Sequence, residues 1–329
     1  MTRVSAALIL PVHNRKAYTS AILNQLTTQI AALKTEPSDK PTIHIVVVDD
    51  GSTDGTAESI IQNFTEVYLL KGDGQLWWTG AIATGMRHAQ QHLQTDYIVW
   101  LNDDITLADD FVVQLIEHCQ ASLHQNTITG GIVCDQSHPD WIVFGGVIAS
   151  QPINNTQQFS NASILKVDTL NGNIVVMPTR LVTDIGLPNS ERFRHYGGDY
   201  EYICRAKESG YHVQLSSRLK ANTDWQPSDV IRYMPLWIQW YVSRTPTDKL
   251  AILKSLTNQK SPHNVKHMVN SMNRQSRQVS RWTYMLFHIK KLIKLIGSDL
   301  IPKSMRRRQV EAYFQRTNVP HDITQSVLR

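Results

Sequence analysis

The sequence predicts an α/β fold, a mostly parallel and doubly wound sheet with helices on both faces. Three observations carry that reading. Apolar runs of strand length alternate with segments of helical period along the first hundred residues. One run, Tyr97-Ile98-Val99-Trp100-Leu101, is apolar throughout, as a strand buried on both faces is. Two runs stop at paired acids, Asp49-Asp50 and Asp103-Asp104, and open α/β sheets bind ligands beyond the carboxyl ends of their strands.

Taken in order, Val4 to Leu10 reads as a strand ending at Pro11. Ile22, Leu26, Ile30 and Leu33 then fall on one helical face. A turn is expected from Pro37 to Pro41, before a second strand from Ile43 to Val48. In Gly51-Ser52-Thr53-Asp54-Gly55-Thr56 the glycines permit a tight turn, and Ser52, Thr53 and Asp54 are caps for a helix running to Phe64. Val67 to Leu70 is a third strand, and a helix from about Gly80 to Leu93 leads into the run at 97–101. Far along the chain, Trp282, Met285, Leu286, Ile289, Ile293 and Ile296 recur at helical spacing, interrupted by Lys290, Lys291 and Lys294, with a stop at Gly297. Such a basic amphipathic helix either lies on an anionic membrane or packs back on the protein with a solvated basic face.

Composition narrows the class. The 329 residues are ample for a proper core. Cys119, Cys134 and Cys204 lack metal-type spacing and suit a reduced, cytoplasmic protein better than a disulfide framework. The run Ala6 to Val12 is too short for a signal peptide, and no apolar stretch is long enough to span a bilayer. From Lys260 to Arg308, six lysines and six arginines face one acid, Asp299; that +11 within a net charge of +5 leaves −6 for the rest. An acidic body with a basic segment implies an anionic partner for the segment. No nucleic-acid-binding motif accompanies the charge, so nucleic acid is not the expected partner.

The paired acids have two readings each. Asp103 and Asp104 either hold a divalent metal, which prefers one or two carboxylates and substrate phosphates, or cap the helix that follows. Asp49 and Asp50 either meet a ligand or close an Asx-turn at Gly51. Asp199 opens the helical pattern of Tyr200, Ile203 and Ala206, where it is either a base or an N-cap. Trp77 and Trp78 either stack on a ligand or pack the core.

Several of these segments, in order, resemble glycosyltransferase family 2. They are Leu8 to Asn14, Val47 to Thr56, Leu101-Asn102-Asp103-Asp104, Leu170 to Asn173, Arg180 to Gly186, Gly197 to Ala206 and Gly210 to Val213. The resemblance covers about residues 4 to 216, and it implies an inverting enzyme of the GT-A fold, with a Rossmann-like sheet. It implies a catalytic, nucleotide-sugar-binding domain over 1–225 and a helical, basic region over 226–329. In that frame Asp50, with Asp49 beside it, receives the imide N–H of uracil or thymine, and Pro11, His13 and Gly80 line the nucleotide. Asp104, with Asp103, holds Mg²⁺ or Mn²⁺. Asp199 is the general base; Asn171, Gly172, Gly198, Trp77 and Trp78 line the donor and acceptor sugars. The chain departs from the family's pattern at Asn102, where Asp is usual, and at Gly198, where Glu is usual. The family's further histidine ligand also has no counterpart between His212 and His263, where Asp224 is the available oxygen donor.

The segment around Trp77 and Trp78 is similar to one in bacterial rhamnosyltransferase-like enzymes of surface polysaccharide assembly. The expected reaction moves a sugar from a UDP- or dTDP-sugar to a glycan hydroxyl in cell-envelope synthesis. A lipid-linked acceptor would place the protein peripherally on the inner face of the cytoplasmic membrane. The rival readings are a non-catalytic nucleotide-binding scaffold and a sugar nucleotidyltransferase. The latter needs a glycine-rich phosphate loop, and Pro11 to Lys16 contains no glycine.

Overall fold

The computed structural model describes residues 3–33, 41–160, 162–276 and 278–328, so the turn expected from Pro37 lies outside the described residues. The chain forms two compact units. One comprises Met1–Arg194 with Gly198–Thr223, the other His195–Gly197 with Asp224–Arg329.

The first unit begins with β1 (Ser5–Val12), α1 (Lys16–Ala31), β2 (Thr42–Asp49), α2 (Thr56–Asn63), β3 (Val67–Lys71), α3 (Trp77–His88) and β4 (Tyr97–Leu101). It continues through β5 (Thr106–Leu107), α4 (Phe111–Ala121), β6 (Thr127–Asp135), β7 (Ile142–Phe144), β8 (Gly146–Ile148) and β9 (Gln151–Pro152). Last come β10 (Ile164–Lys166), β11 (Thr169–Leu170), β12 (Ile174–Pro178), α5 (Arg180–Ile185), α6 (Gly198–Glu208) and β13 (His212–Thr223). The main sheet runs in the order β10-β13-β6-β12-β4-β1-β2-β3. β3, β2, β1 and β4 are parallel neighbours, and β6 is parallel to β13. β12 is antiparallel to both β4 and β6, so β6 and β13 point the same way as the first four strands.

The strands have two buried faces, and the period of two sorts their side chains between two cores. Ala7 and Ile9 of β1, Val46 and Val48 of β2, and Ile98 and Trp100 of β4 join α3 residues Ile82 and Met86 on one side. Leu8, Leu10, Ile45, Val47, Val99 and Leu101 join Ile22, Leu23 and Leu26 of α1 and Phe111 and Leu115 of α4 on the other. Each valine, leucine, isoleucine, methionine or phenylalanine among them contributes about 1.5–3 kcal/mol by leaving water. This is why the runs read as continuously apolar rather than alternating.

Two helix starts are fixed by distant carboxylates, and one of them differs from the expectation. α1 is capped from a distance, because the Lys16 N–H donates to Asp54 Oδ2 at 3.0 Å. α3 starts at Trp77, not Gly80, because a distant carboxylate takes up the N–H groups leading into it. Its end widens into a π-turn over Ala89–Leu93.

The second unit contains α7 (Pro227–Tyr233), α8 (Leu236–Val242), α9 (Pro246–Ser255), α10 (Val265–Met272), α11 (Arg281–Gly297), α12 (Lys303–Arg316) and α13 (His321–Leu328). Leu236, Trp240, Ile252, Leu256, Val265, Val269 and Leu295 form a core of its own. A capping box between Thr245 and Asp248 fixes the start of α9.

Where β6 meets β13 the register shifts between Ser216 and Lys220. A methyl on Gly131 would run into the backbone carbonyl of Leu219 at this bulge and press on Ile174. Backbone cannot yield as a flexible side chain can. Gly131→Ala should therefore lower stability by about 1–3 kcal/mol, read as a lower urea midpoint at unchanged slope.

Candidate active site

β1, β2 and β4 end at one edge of the sheet, with Val12 opposite Asp49. Asp49 Oδ1 accepts the Ser52 N–H at 3.0 Å, closing the turn after β2. Asp50 is 4% exposed. Its Oδ1 accepts the N–H groups of Gly74 (2.8 Å) and Leu76 (3.1 Å), and its Oδ2 that of Trp77 (2.7 Å). Trp77 takes this position at φ +56°, a left-handed conformation that a bulky residue rarely adopts. A carboxylate offers about four acceptor positions, and three are filled here by the protein itself. The His13 Nδ1–H donates to the Asp50 carbonyl at 2.6 Å, leaving Nε2 to accept from Asn14 at 3.1 Å. Pro11 lies within β1 opposite Val48, and Gly80 packs on Leu76 and Ser190.

The segment held by Asp50 leads directly to Trp78. Its indole N–H donates to Asn102 Oδ1 at 2.9 Å, and its ring meets Trp100 edge-on with centroids 5.5 Å apart. Asn102 also donates to Asn173 Oδ1 at 2.7 Å, and Asn171 Oδ1 accepts from Asn173. Gly172 lies so close under Trp78 that a methyl there would overlap the ring. The Gly172 N–H donates to Asp199 Oδ2 at 3.0 Å, while Asp199 Oδ1 accepts from Tyr200 N–H at 2.8 Å. Gly198 abuts Thr79 with no room for a side chain. Burial pushes the Asp199 carboxyl up from its ordinary value, against the backbone N–H groups of Tyr200 and Gly172 that lower it. Asp50, Asn102 and Asp199 are thus joined through one segment, residues 74–80, and one loop, residues 171–173.

Asp103 and Asp104 point differently. Asp103 is 3% exposed, accepts from the Thr19 hydroxyl at 3.0 Å, and meets Arg15 Nε at 3.3 Å. Burial pushes its carboxyl up to about 6; the Arg15 charge opposes that and the neighbouring Asp104 adds to it. Asp104 is half-buried, with Oδ2 on Arg15 Nη2 at 3.1 Å and Oδ1 without a partner among the described residues. Burial works against the charge on Arg15, but Asp103 and Asp104 outweigh it and raise its pKa.

No group of three or more His, Cys, Asp or Glu side chains suited to a metal occurs among the described residues. The donor set fits a divalent cation only where substrate phosphates and water complete the shell, with Asp104 as the protein's ligand. Asp103 has both oxygens engaged within the fold, and the Asn102 side chain is spent on Trp78 and Asn173.

Arg15 carries no signal in the sequence, since its partners lie 88 and 89 residues away and no spacing rule links them. His212 is exposed at the start of β13. Asp224 belongs to the second unit, where it is exposed and accepts from Gln226 at 3.0 Å. His195 and Tyr196 also belong to that unit, with ring centroids 4.6 Å apart.

Residues 7–159 match glycosyl transferase family 2. No curated protein matches the sequence. Among solved structures, the mannosyltransferase PcManGT from Pyrobaculum calidifontis, in complex with GDP-Man and Mn²⁺, is similar at TM-score 0.52 and 12% identity, over 99% of this chain and 86% of its own. GalNAc-T7 with UDP, GalNAc and Mn²⁺ is similar at TM-score 0.52 and 11% identity, over 89% of this chain and 58% of its own. TarS of S. aureus follows at TM-score 0.49 and 13% identity, covering 97% of this chain; the chain spans about half the length of TarS. At these identities the likeness to PcManGT and GalNAc-T7 is one of fold. With the family match over 7–159 and the curled, mostly parallel sheet, the fold is GT-A, and these findings support a glycosyltransferase.

Asp50→Asn would set an amide N–H₂ against backbone donors at 74–77. The variant should lose about 1.5–3 kcal/mol of stability, and amide hydrogen exchange at residues 74–78 should quicken. Asp103 gives a pH signature. Its folded pKa, about 6, lies above the ordinary 3.8, so its contribution to stability is full below that lower value and is lost as pH rises through the upper one. Asp103→Asn should flatten this fall by roughly 2 kcal/mol between pH 4 and 7 in urea titrations of metal-free protein.

Proposed function

We propose that this chain is an inverting glycosyltransferase that passes a sugar from a UDP- or dTDP-sugar, with rhamnose the first to test, to a hydroxyl of a growing, lipid-linked glycan. The observation that supports this reading best is the Asp199 carboxylate. It is raised in basicity by burial, oriented by two backbone N–H groups, and linked through Gly172 and Trp78 to the rim that carries Asp104. Each Asp199 oxygen keeps a lone pair beyond the one used in those bonds. As the acceptor oxygen attacks the anomeric carbon, the bond from that carbon to the diphosphate breaks on the opposite side, and the hydroxyl proton passes to Asp199.

The diphosphate leaves with developing negative charge. Arg15, set between Asp103 and Asp104 on the same rim, is the fixed cation that can share it. Mg²⁺ or Mn²⁺, when bound, would neutralise the departing diphosphate as a Lewis acid, with Asp104 as the ligand and Asp103 behind it. In this reading Pro11, His13, Asp49, Asp50 and Gly80 shape the nucleotide pocket. Asp50 acts chiefly by holding residues 74–77 and offers its fourth acceptor position to the base. Asn171, Gly172, Gly198, Trp77 and Trp78 then flank the sugar. The two neighbours solved with GDP-Man or UDP bind their nucleotides together with Mn²⁺, which is consistent with a metal here. The missing histidine ligand, which leaves Asp104 as the one open carboxylate of the pair, gives room for a second reading, a scaffold that binds nucleotide without turning it over.

Purified protein should release nucleotide from one member of a UDP-, dTDP- and GDP-sugar panel when Mn²⁺ and an acceptor are present. Asp199→Asn should lower kcat by about 10²–10⁴ and leave nucleotide-induced thermal stabilisation intact. The wild-type acid limb of kcat/KM should lie above the ordinary carboxylate range, since activity needs ionised Asp199 and falls as pH drops through its raised pKa. Stabilisation by nucleotide without release from any donor would favour the scaffold.

A further inference from the structure

α11 is apolar on two sides. Leu295 is buried, and Tyr284, Phe287 and Leu292 pack with it on the core of the second unit. The other side is open. Trp282, Leu286 and Ile293 are each more than 60% exposed, and Met285, Ile289 and Ile296 are exposed beside them. At 100° per residue these six fall within an arc of about 100°, a continuous stripe roughly 20 Å long. Lys290 and Lys294 are exposed along one edge of it, and the 17 residues of α11 include no acid. Lys291 is held below its ordinary pKa by burial and by the like charges of Lys294 and Lys290. Beyond the helix, Leu300 is 89% exposed.

Next to the C-terminal end of the stripe lies a cavity of about 550 Å³, bounded by Ile293 and Lys294 of α11, Trp237 of α8, and Arg306, Tyr313 and Arg316 of α12. Trp237 meets Tyr313 edge-on at 6.0 Å, and the Arg316 guanidinium lies 5.6 Å over the Tyr313 ring. Arg316 and Lys294 have no carboxylate partner among the described residues. Arg306 is tied to Asp299 through Nη1 at 2.8 Å, but its buried Nε has no partner among the described residues.

We propose that this face of the second unit docks on an anionic lipid bilayer, with the α11 stripe among the acyl chains at the interface and the cavity receiving a lipid phosphate. Charge selects this occupant. A second copy laid on the stripe would set Lys290 and Lys294 near their own like charges, whereas anionic headgroups supply the partner that Lys294 and Arg316 lack. No helix among the described residues is long and apolar enough to cross a membrane, so α11 lies in the plane of the interface. The proposal deepens the lipid-linked acceptor suggested above. Its test needs no sugar transfer, so the two can fail separately.

The full chain is sedimented with vesicles of phosphatidylcholine alone and of phosphatidylcholine with phosphatidylglycerol. Binding is expected to the anionic vesicles, with a blue shift of tryptophan emission that Trp282→Phe diminishes. The double variant Ile289→Ser/Ile293→Ser should bind at least about tenfold more weakly. Both positions are exposed, so its melting curve should match wild type. Lys294→Ala/Arg316→Ala should lose the preference for phosphatidylglycerol while keeping residual binding. Wild type that ignores anionic vesicles, or a serine variant that binds them equally, would overturn the proposal. So would a dimer in size-exclusion that the serine variant dissociates, since the face would then be covered by a second copy.

Discussion

The Asp50 carboxylate sits at the end of β2, yet it determines how a segment two dozen residues later enters α3. Three backbone N–H groups from residues 74–77 converge on it, and the last belongs to Trp77 in a left-handed conformation. Such a conformation costs about 1–3 kcal/mol, and a hydrogen bond to a charged acceptor returns about 1.5–3 kcal/mol. The strained turn therefore persists because the carboxylate is there. Its result is positional. The next residue, Trp78, lies across Trp100 with its indole N–H on Asn102, and Gly172 closes up beneath the ring to reach Asp199. The aromatic surface, the first residue of the acid loop and the proposed base are registered by one buried charge.

The charge on the rim is arranged with similar economy. Asp103, Asp104 and Arg15 together leave one net negative charge, and burial divides the roles of the acids. Asp103 is fixed by Thr19 and Arg15 and is so desolvated that its proton is held to about pH 6. Asp104 keeps one oxygen without a partner among the described residues. A cation arriving with a diphosphate would meet Asp104 first, while Arg15 would exchange part of its carboxylate contact for phosphate oxygens. Because guanidinium is a planar fork with several donors, it can hold Asp103 through Nε and still present its other nitrogens outward.

Much of this was legible in the sequence, and the limits were physical. Strands β1, β2 and β4 have two buried faces, so their apolar runs declared themselves, and the acids after β2 and β4 marked the ligand edge. The order of motifs carried the family likeness that the match over 7–159 bears out in fold. What stayed hidden depended on contacts between distant residues. The start of α3 moved because Asp50 caps it from 24 to 27 residues upstream. The difference between Asp103 and Asp104 required Thr19 and Arg15, more than eighty residues away. Neither reading of Asp50, a contact to a nucleotide base or an Asx-turn at Gly51, anticipated that most of its acceptor capacity is spent on the backbone of residues 74–77.

Helical period in α11 offered two readings, a face packed on the protein or a face turned to a membrane, and treated them as alternatives. The structure has two apolar faces on one helix. Tyr284, Phe287, Leu292 and Leu295 turn inward, while Trp282, Leu286, Ile289 and Ile293 turn outward. A period of 3.6 locates stripes but cannot assign a partner to each, because apolar residues toward a core and toward a bilayer follow the same spacing. The distinction lies in what borders the stripe. The inward face is covered by the apolar core of its unit. The outward face is bordered by lysines with no acid in the helix, an arrangement that gains little in a protein core and much beside anionic headgroups.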